Sequence, residues 1–199
     1  MDWSILYWIQ ENLRSGLMDH LMLFVTTIGG YGVVWILSGF ILLFTKKYRF
    51  WGLVLLAALA AGVLIGNGFL KHFVARPRPC WLDPAVQLLI SVPRDYSFPS
   101  GHTLASVIGA TVLTAANGSW GRIAIPLAML VSFSRLYLFV HFPTDILGAI
   151  VLGLLISFVT IRLCVTHREF TERTAERAYL KCAGILRLCK SNKKSEARD

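Results

Sequence analysis

Acidic side chains are scarce in this sequence: 11 of its 199 residues are Asp or Glu. They form no cluster suited to magnesium, which wants oxygen ligands converging on one octahedral site. Charge of either sign is thin as well. Charged residues make up 16% of the chain, against about 25% in an ordinary soluble domain. Cysteine is sparse too. Cys80, Cys164, Cys182 and Cys189 form no C-x-x-C pair, which argues against a structural zinc site. Met1 to Met18 has no basic start and no uninterrupted apolar stretch, so no cleavable signal peptide is expected there.

What the chain does have is apolar residues in long runs. They amount to 55% of it, with a mean hydropathy of +0.60. Runs of this length read as membrane spans and not as a globular core. Leu21 to Thr45 is uncharged for 25 residues, enough to cross a bilayer at about 1.5 Å per residue. Gly29, Gly30 and Gly32 interrupt it, so its regular part is expected to begin near Tyr31. Phe50 to Leu70 is the second span, and its Gly62-x-x-x-Gly66 spacing suits close helix packing within a bundle. Thr103–Trp120, Ile123–Val140 and Ile146–Ile161 are the remaining three. Ahead of them, Met1–Met18 gathers Trp3, Ile5, Leu6, Trp8, Ile9, Leu13 and Leu17 on one side, with two Trp at the rim, as a helix lying in the interface or packed on the bundle. The expected fold is an all-α polytopic membrane helix bundle of five or six transmembrane helices with amphipathic terminal helices. It divides into an N-terminal helix (1–20), a transmembrane core (21–165) and a basic tail (166–199). The tail is expected to be amphipathic to Lys190 and disordered from Ser191 to Asp199.

The formal net charge is +9, and ten of the twenty Lys and Arg lie from Arg162 onward. Beside a membrane span, the partner of such a tail is an anionic lipid surface, which attracts each basic residue by about 1 kcal/mol, and not nucleic acid. With five spans, Lys46, Lys47, Arg49, Arg122 and the tail share one side, which the positive-inside rule makes the cytoplasm. The Lys71–Ser100 loop and the region of His141 then face outside a plasma (inner) membrane. Cys80 falls outside and the other cysteines inside, so no disulfide framework is expected. Lys71, Arg76, Arg78 and Arg94 are on the wrong side for the rule, and anion binding is the natural reason. The apolar stretch Ala85–Val92 in the same loop is expected at the lipid surface.

Three stretches on that outer side carry chemistry: Lys71 to Pro79, Phe98 to His102, and Ser134 to Asp145. Arg135 lies in an apolar segment, where a charge costs about 2.5–3.5 kcal/mol. The nearby spans offer almost no acid except Asp145, so a bound phosphate is a candidate counter-ion. His141 and Asp145, four apart, share a helix face. An Asp bonded to one ring nitrogen leaves the other nitrogen basic. Ser100 and Gly101 open a helix whose unpaired N–H groups suit an anion. His102 sits where it can protonate a leaving oxygen. Together these residues supply what phosphoryl transfer needs, with side chains and no metal as the cations.

The pattern Lys71, six residues, Arg78-Pro79; then Pro99-Ser100-Gly101-His102; then Ser134-Arg135, five residues, His141, three residues, Asp145 resembles the three-part signature of the type 2 phosphatidic acid phosphatase superfamily. Every signature position matches, in order, within a core from about Phe50 to Leu163. The resemblance implies an all-helical bundle, commonly with six spans in membrane members. It implies that His141 is a nucleophile forming a phosphohistidine, that Asp145 orients it, and that His102 protonates the leaving group. Lys71, Arg78, Ser100, Gly101 and Arg135 would bind the phosphoryl oxygens, with no cofactor. Arg76 and His72, outside the signature, would have a secondary role at most. The expected activity is hydrolysis of a lipid (pyro)phosphate, most naturally undecaprenyl pyrophosphate. Phosphatidylglycerol phosphate, phosphatidic acid or lipid phosphotransfer are the alternatives. A soluble vanadium haloperoxidase fits poorly with membrane spans, and no inverted repeat suggests a transporter.

Overall fold

The computed structural model describes residues 1–196, which are all-helical with no strand. Helix α1 (Asp2–Asn12) is followed by α2 (Gly16–Ile28), so the first 18 residues are not one helix. Ser15 is the reason: its side chain accepts from the Met18 N–H and starts α2 afresh. A 3-10 turn at Gly30–Gly32 leads into α3 (Val33–Phe44), and α2 and α3 are bent by 43° there. The glycine break expected near Tyr31 is therefore a bend between two helices. Gly32, at φ +72°, supplies the left-handed residue that bend requires.

α4 (Arg49–Gly62) runs on as a π-helical stretch, Val63–Leu70, into α5 (Lys71–Val74), with the short α6 (Pro79–Leu82) beyond. Lys71 thus opens the last turn of this helical run and does not lie in a free loop. α7 (Gly101–Ala116) and α8 (Gly118–Tyr137) meet at Asn117, whose side chain accepts from Ser119 N–H at 3.1 Å. The sequence placed that turn near Arg122, where the charge is. The cap, not the charge, decides it. α9 (Pro143–Thr166) and α10 (Arg168–Glu196) complete the chain. The helical tail includes Ser191–Glu196, expected to be disordered; residues 197–199 lie outside the described residues.

The main core joins α3, α4, α7, α8 and α9 around Trp35, Leu55, Ile108, Val112 and Ala149. Small residues let these helices approach. A Cβ on Gly62 or Gly66 would meet Ile108 or Leu104 of α7 at 2.6 and 2.4 Å, so that glycine pair faces a neighbour inside the bundle. The outside is apolar: α9 shows Leu147, Val151, Leu155 and Phe158 along one stripe. An apolar exterior at helical spacing is the surface a bilayer covers. Lys46–Leu82 and Pro143–Thr166 contain helix long and apolar enough to cross one, and α2 with α3 can make a bent third.

The two ends of the bundle differ. At one, the α3–α4 and α7–α8 turns meet through Tyr48 and Trp120, whose rings lie 4.7 Å apart. α10 folds back beneath this end, where Arg49 pairs with Glu176 and lies 3.8 Å from the centre of the Tyr179 ring. At the other end, α1 packs Leu6 and Ile9 against Tyr137, Phe139 and Phe142. The N-terminal helix is thus packed on the bundle through Leu6 and Ile9, with Trp8 left exposed. Val86, Leu88, Leu89 and Ile90 of the Ala85–Val92 stretch also pack on this cluster, each partly buried, while Ala85 and Val92 stay exposed. The π-helical stretch, α5, the start of α7 and the start of α9 converge there as well.

Candidate active site

Arg78 organises this end. It is 3% exposed and uses three of its nitrogens. Nε donates to the Asp95 carbonyl at 2.7 Å, and Nη2 to the Asp95 carboxylate at 2.8 Å. Nη1 donates to the Val140 carbonyl at 2.7 Å and lies 3.0 Å from His141 Nε2. A guanidinium can only donate. His141 Nε2 therefore accepts, and its lone pair points at the cation. In a neutral ring the proton is then on Nδ1.

That Nδ1 faces Ser97 Oγ at 3.4 Å and Asp145 Oδ2 at 3.6 Å. The carboxylate is close, but beyond hydrogen-bond distance. Asp145 is fully buried and its other contacts hold it firmly. Oδ2 accepts from Ser97 Oγ at 2.5 Å and from Phe142 N–H at 2.8 Å, the latter closing the first turn of α9. Oδ1 accepts from Arg76 at 2.7 Å. His141 itself is 2% exposed, in the loop between α8 and α9. Burial, first, and the Arg78 guanidinium push its pKa below the ordinary histidine value, although the Asp145 side chain opposes them.

Lys71 and Arg78 converge on the carboxylate of Asp95. Burial alone would raise that carboxyl, but the Lys71 hydrogen bond and the Arg78 charge hold it at about 2. The two cations thus form an anion site occupied by a side-chain carboxylate. Arg135 is 5% exposed, donates to Thr26 Oγ1, and leaves its Nε buried without a partner. No ion pair engages it among the described residues. Ser100 caps α7 through its side chain, 3.4 Å from Thr103 N–H. The Gly101 and His102 N–H groups have no acceptor among the described residues. His102 makes no side-chain hydrogen bond there either, and lies within coulombic range of Arg135, His141, Lys71 and Arg78.

All eight residues singled out from the sequence therefore gather at one end of the bundle. Two departures stand out. The Ser100 hydroxyl is engaged as a helix cap. Arg76 points away from the anion site to Asp145, Thr144 and Asp2, with Nη2 2.9 Å from the Asp2 carboxylate. Sequence reasoning passed over Ser97, Asp95 and Asp2. Nothing in spacing marks them, because each reaches the site across the fold. Among the described residues, no three His, Cys, Asp or Glu side chains are grouped to hold a metal ion.

A buried histidine beside two cations that already hold a carboxylate, in an all-helical bundle with an apolar exterior, suits transfer of a phosphoryl group at a membrane. Residues 51–169 match the PAP2 superfamily, and the chain belongs to it. The undecaprenyl-diphosphatase of Sulfolobus acidocaldarius is 35% identical over 147 residues, 73% of this chain and 70% of that protein. The undecaprenyl-diphosphatase BcrC of Bacillus subtilis is 27% identical over 163 residues, 80% of this chain and 81% of its own. The crystal structure of a transmembrane PAP2-type phosphatidylglycerolphosphate phosphatase from Bacillus subtilis superimposes with a TM-score of 0.64. It is 26% identical, with 83% of this chain and 85% of that chain covered. The chain is thus a membrane-embedded lipid phosphatase, a hydrolase of phosphoric esters or anhydrides.

Proposed function

We propose that the chain hydrolyses undecaprenyl pyrophosphate through a phosphohistidine on His141, without a metal ion. One observation carries this reading: the His141 Nε2 lone pair points into the cationic site where Lys71 and Arg78 hold a carboxylate. A phosphoryl group that displaces the Asp95 carboxylate meets the two cations, Arg135 and the N-terminus of α7, and lies beside Nε2. His141 Nε2 attacks phosphorus as the bond to the leaving lipid phosphate breaks, and His102 gives that oxygen its proton. Water then attacks the phosphohistidine, His102 takes a proton back, and inorganic phosphate leaves. Asp145, through Ser97 and the Nδ1–H, keeps the ring in the tautomer that exposes Nε2.

The substrate assignment draws on the two relatives named undecaprenyl-diphosphatase and on the small outer loop. That loop builds no separate domain for a large head group. Arg76 is engaged elsewhere, so exposed Arg94, beside Asp95, is the residue for the phosphate that is not transferred. The active site faces outside the plasma membrane, and α10 lies at the cytoplasmic end, where its basic residues meet anionic lipid. The test is phosphate release from undecaprenyl pyrophosphate, phosphatidylglycerol phosphate and phosphatidic acid by purified protein in detergent with excess chelator. Undecaprenyl pyrophosphate is expected to have the highest kcat/KM. A tenfold preference for either glycerolipid overturns the substrate, and activity that requires added magnesium overturns the mechanism.

A further inference from the structure

The carboxylate behind His141 is held by more than its own helix. Asp145 Oδ1 is bound by Arg76 Nη1 at 2.7 Å, and the other end of that guanidinium, Nη2, is bound by Asp2 at 2.9 Å. Thr144 ties the three together. Its hydroxyl donates to Asp2 at 2.6 Å and lies 2.6 Å from Arg76 Nη1. The Arg76 guanidinium is also stacked 4.1 Å from the Phe142 ring, and Trp3 meets that ring edge-on at 5.1 Å. The first turn of α1 is therefore built onto the back of the site.

The charges explain why Asp2 is needed. A guanidinium paired with Asp145 alone would neutralise it and weaken the negative field it sets at Ser97 and the Nδ1 side of His141, 3.6 Å away. A second carboxylate on the same guanidinium leaves the group with a net negative charge. The fork of Arg76 fixes the direction of the Asp145 carboxylate, and Asp2 fixes the fork. Burial alone would raise the Asp2 carboxyl, but bonds from Thr144 and Arg76 keep it lowered, and so ionised.

We propose that Arg76 and Asp2 are positioning residues for phosphoryl transfer, an ion chain through which helix α1 sets the orientation and charge of Asp145. This rests on the lipid phosphatase reading with His141 as nucleophile. A misplacement of about 1 Å at a reacting group can cost about a hundredfold in rate. Loss of the outermost link of this chain is expected to cost about tenfold.

The experiment is single-turnover phosphorylation of the full-length protein in detergent with labelled undecaprenyl pyrophosphate, trapping the phosphohistidine. Asp2→Asn is expected to slow its formation about tenfold, with unchanged amplitude and unchanged vanadate affinity, and Asp2→Glu to restore most of the rate. Arg76→Lys is expected to slow it further. In an Arg76→Lys background, Asp2→Asn is expected to add little, because the two act as one unit. A wild-type rate in Asp2→Asn overturns the inference, as does a reduced amplitude at an unchanged rate, which marks a purely structural role. Fully multiplicative losses overturn it too. If the wild-type protein traps no phosphohistidine, the underlying mechanism fails and the inference falls with it.

Discussion

His141 turns its unprotonated nitrogen towards Arg78 and its protonated one towards Ser97 and Asp145. Replacing His141 by Ala is expected to take phosphate release below detection. Replacing His102 by Ala removes the proposed general acid, a role worth roughly a hundredfold to ten-thousandfold. Both variants are expected to fold, as read by gel filtration and melting in detergent, and a folded variant of either with near wild-type turnover would refute its role. The lowered pKa of His141 has a consequence for stability. An unfolded imidazole titrates near about 6.5, whereas folded His141 takes a proton only well below that. As pH falls from about 6.5, the unfolded chain binds the proton first, so the folded state loses stability. Tm is expected to drop between about pH 7.5 and pH 5, and His141→Gln to lessen the drop. In the proposed mechanism Asp95 competes with the phosphoryl group for Lys71 and Arg78, and at about 2 its pKa keeps it ionised at any working pH. Asp95→Asn is expected to tighten vanadate inhibition. The gain is at most about fivefold, since a half-exposed ion pair contributes about 1 kcal/mol or less. Weaker inhibition would mean that Asp95 helps the anion bind.

The helices hold this geometry by close approach at glycine. Where α3 meets α4, a Cβ on Gly52 would stand 2.4 Å from the Leu43 backbone nitrogen and 2.7 Å from the Gly39 carbonyl. Backbone cannot rotate aside as a side chain can, so the two helices must part. Gly52→Ala is expected to lower stability by about 1–3 kcal/mol, the usual cost of overpacking. This contact lies at the end away from His141. The turnover of each folded molecule is therefore expected to stay unchanged while Tm falls, and an unaltered Tm would show that α3 and α4 do not pack so tightly. The π-helical stretch Val63–Leu70 has the opposite address: it delivers Lys71 to the site.

The whole molecule has a cationic site at one end and a basic helix folded beneath the other. Their assignment to the outside and the cytoplasm is open to a direct test. Cys80 is buried, so it cannot serve as the reporter its place in the outer loop suggested. Exposed positions at the two ends replace it. In a background without native cysteines, Val92→Cys is expected to react with an impermeant thiol reagent in intact cells, and Lys47→Cys only after lysis. The reverse pattern would put the phosphatase site in the cytoplasm.

Linear order by itself determined the class of fold and the inventory of the candidate site. Long apolar runs with little charge read as membrane helices, and Lys71, Arg78, Ser100, Gly101, His102, Arg135, His141 and Asp145 stand out by their spacing within short motifs. Spacing also marked the Gly62–Gly66 face as a packing face. What it left undecided depends on contacts between residues far apart in the chain. Ser97 reaches Asp145 from 48 positions away, and Arg76 from 69. Asp95 approaches Lys71 and Arg78 from the far limb of the loop. Arg76 offered the same charge to a bound anion or to a carboxylate, and only folding of α1 and α9 against each other chose the carboxylate. The same packing docks α1 through Leu6 and Ile9. A residue's type fixes which bonds it can make. Which bond it does make is decided by what the rest of the chain brings within about 3 Å of it.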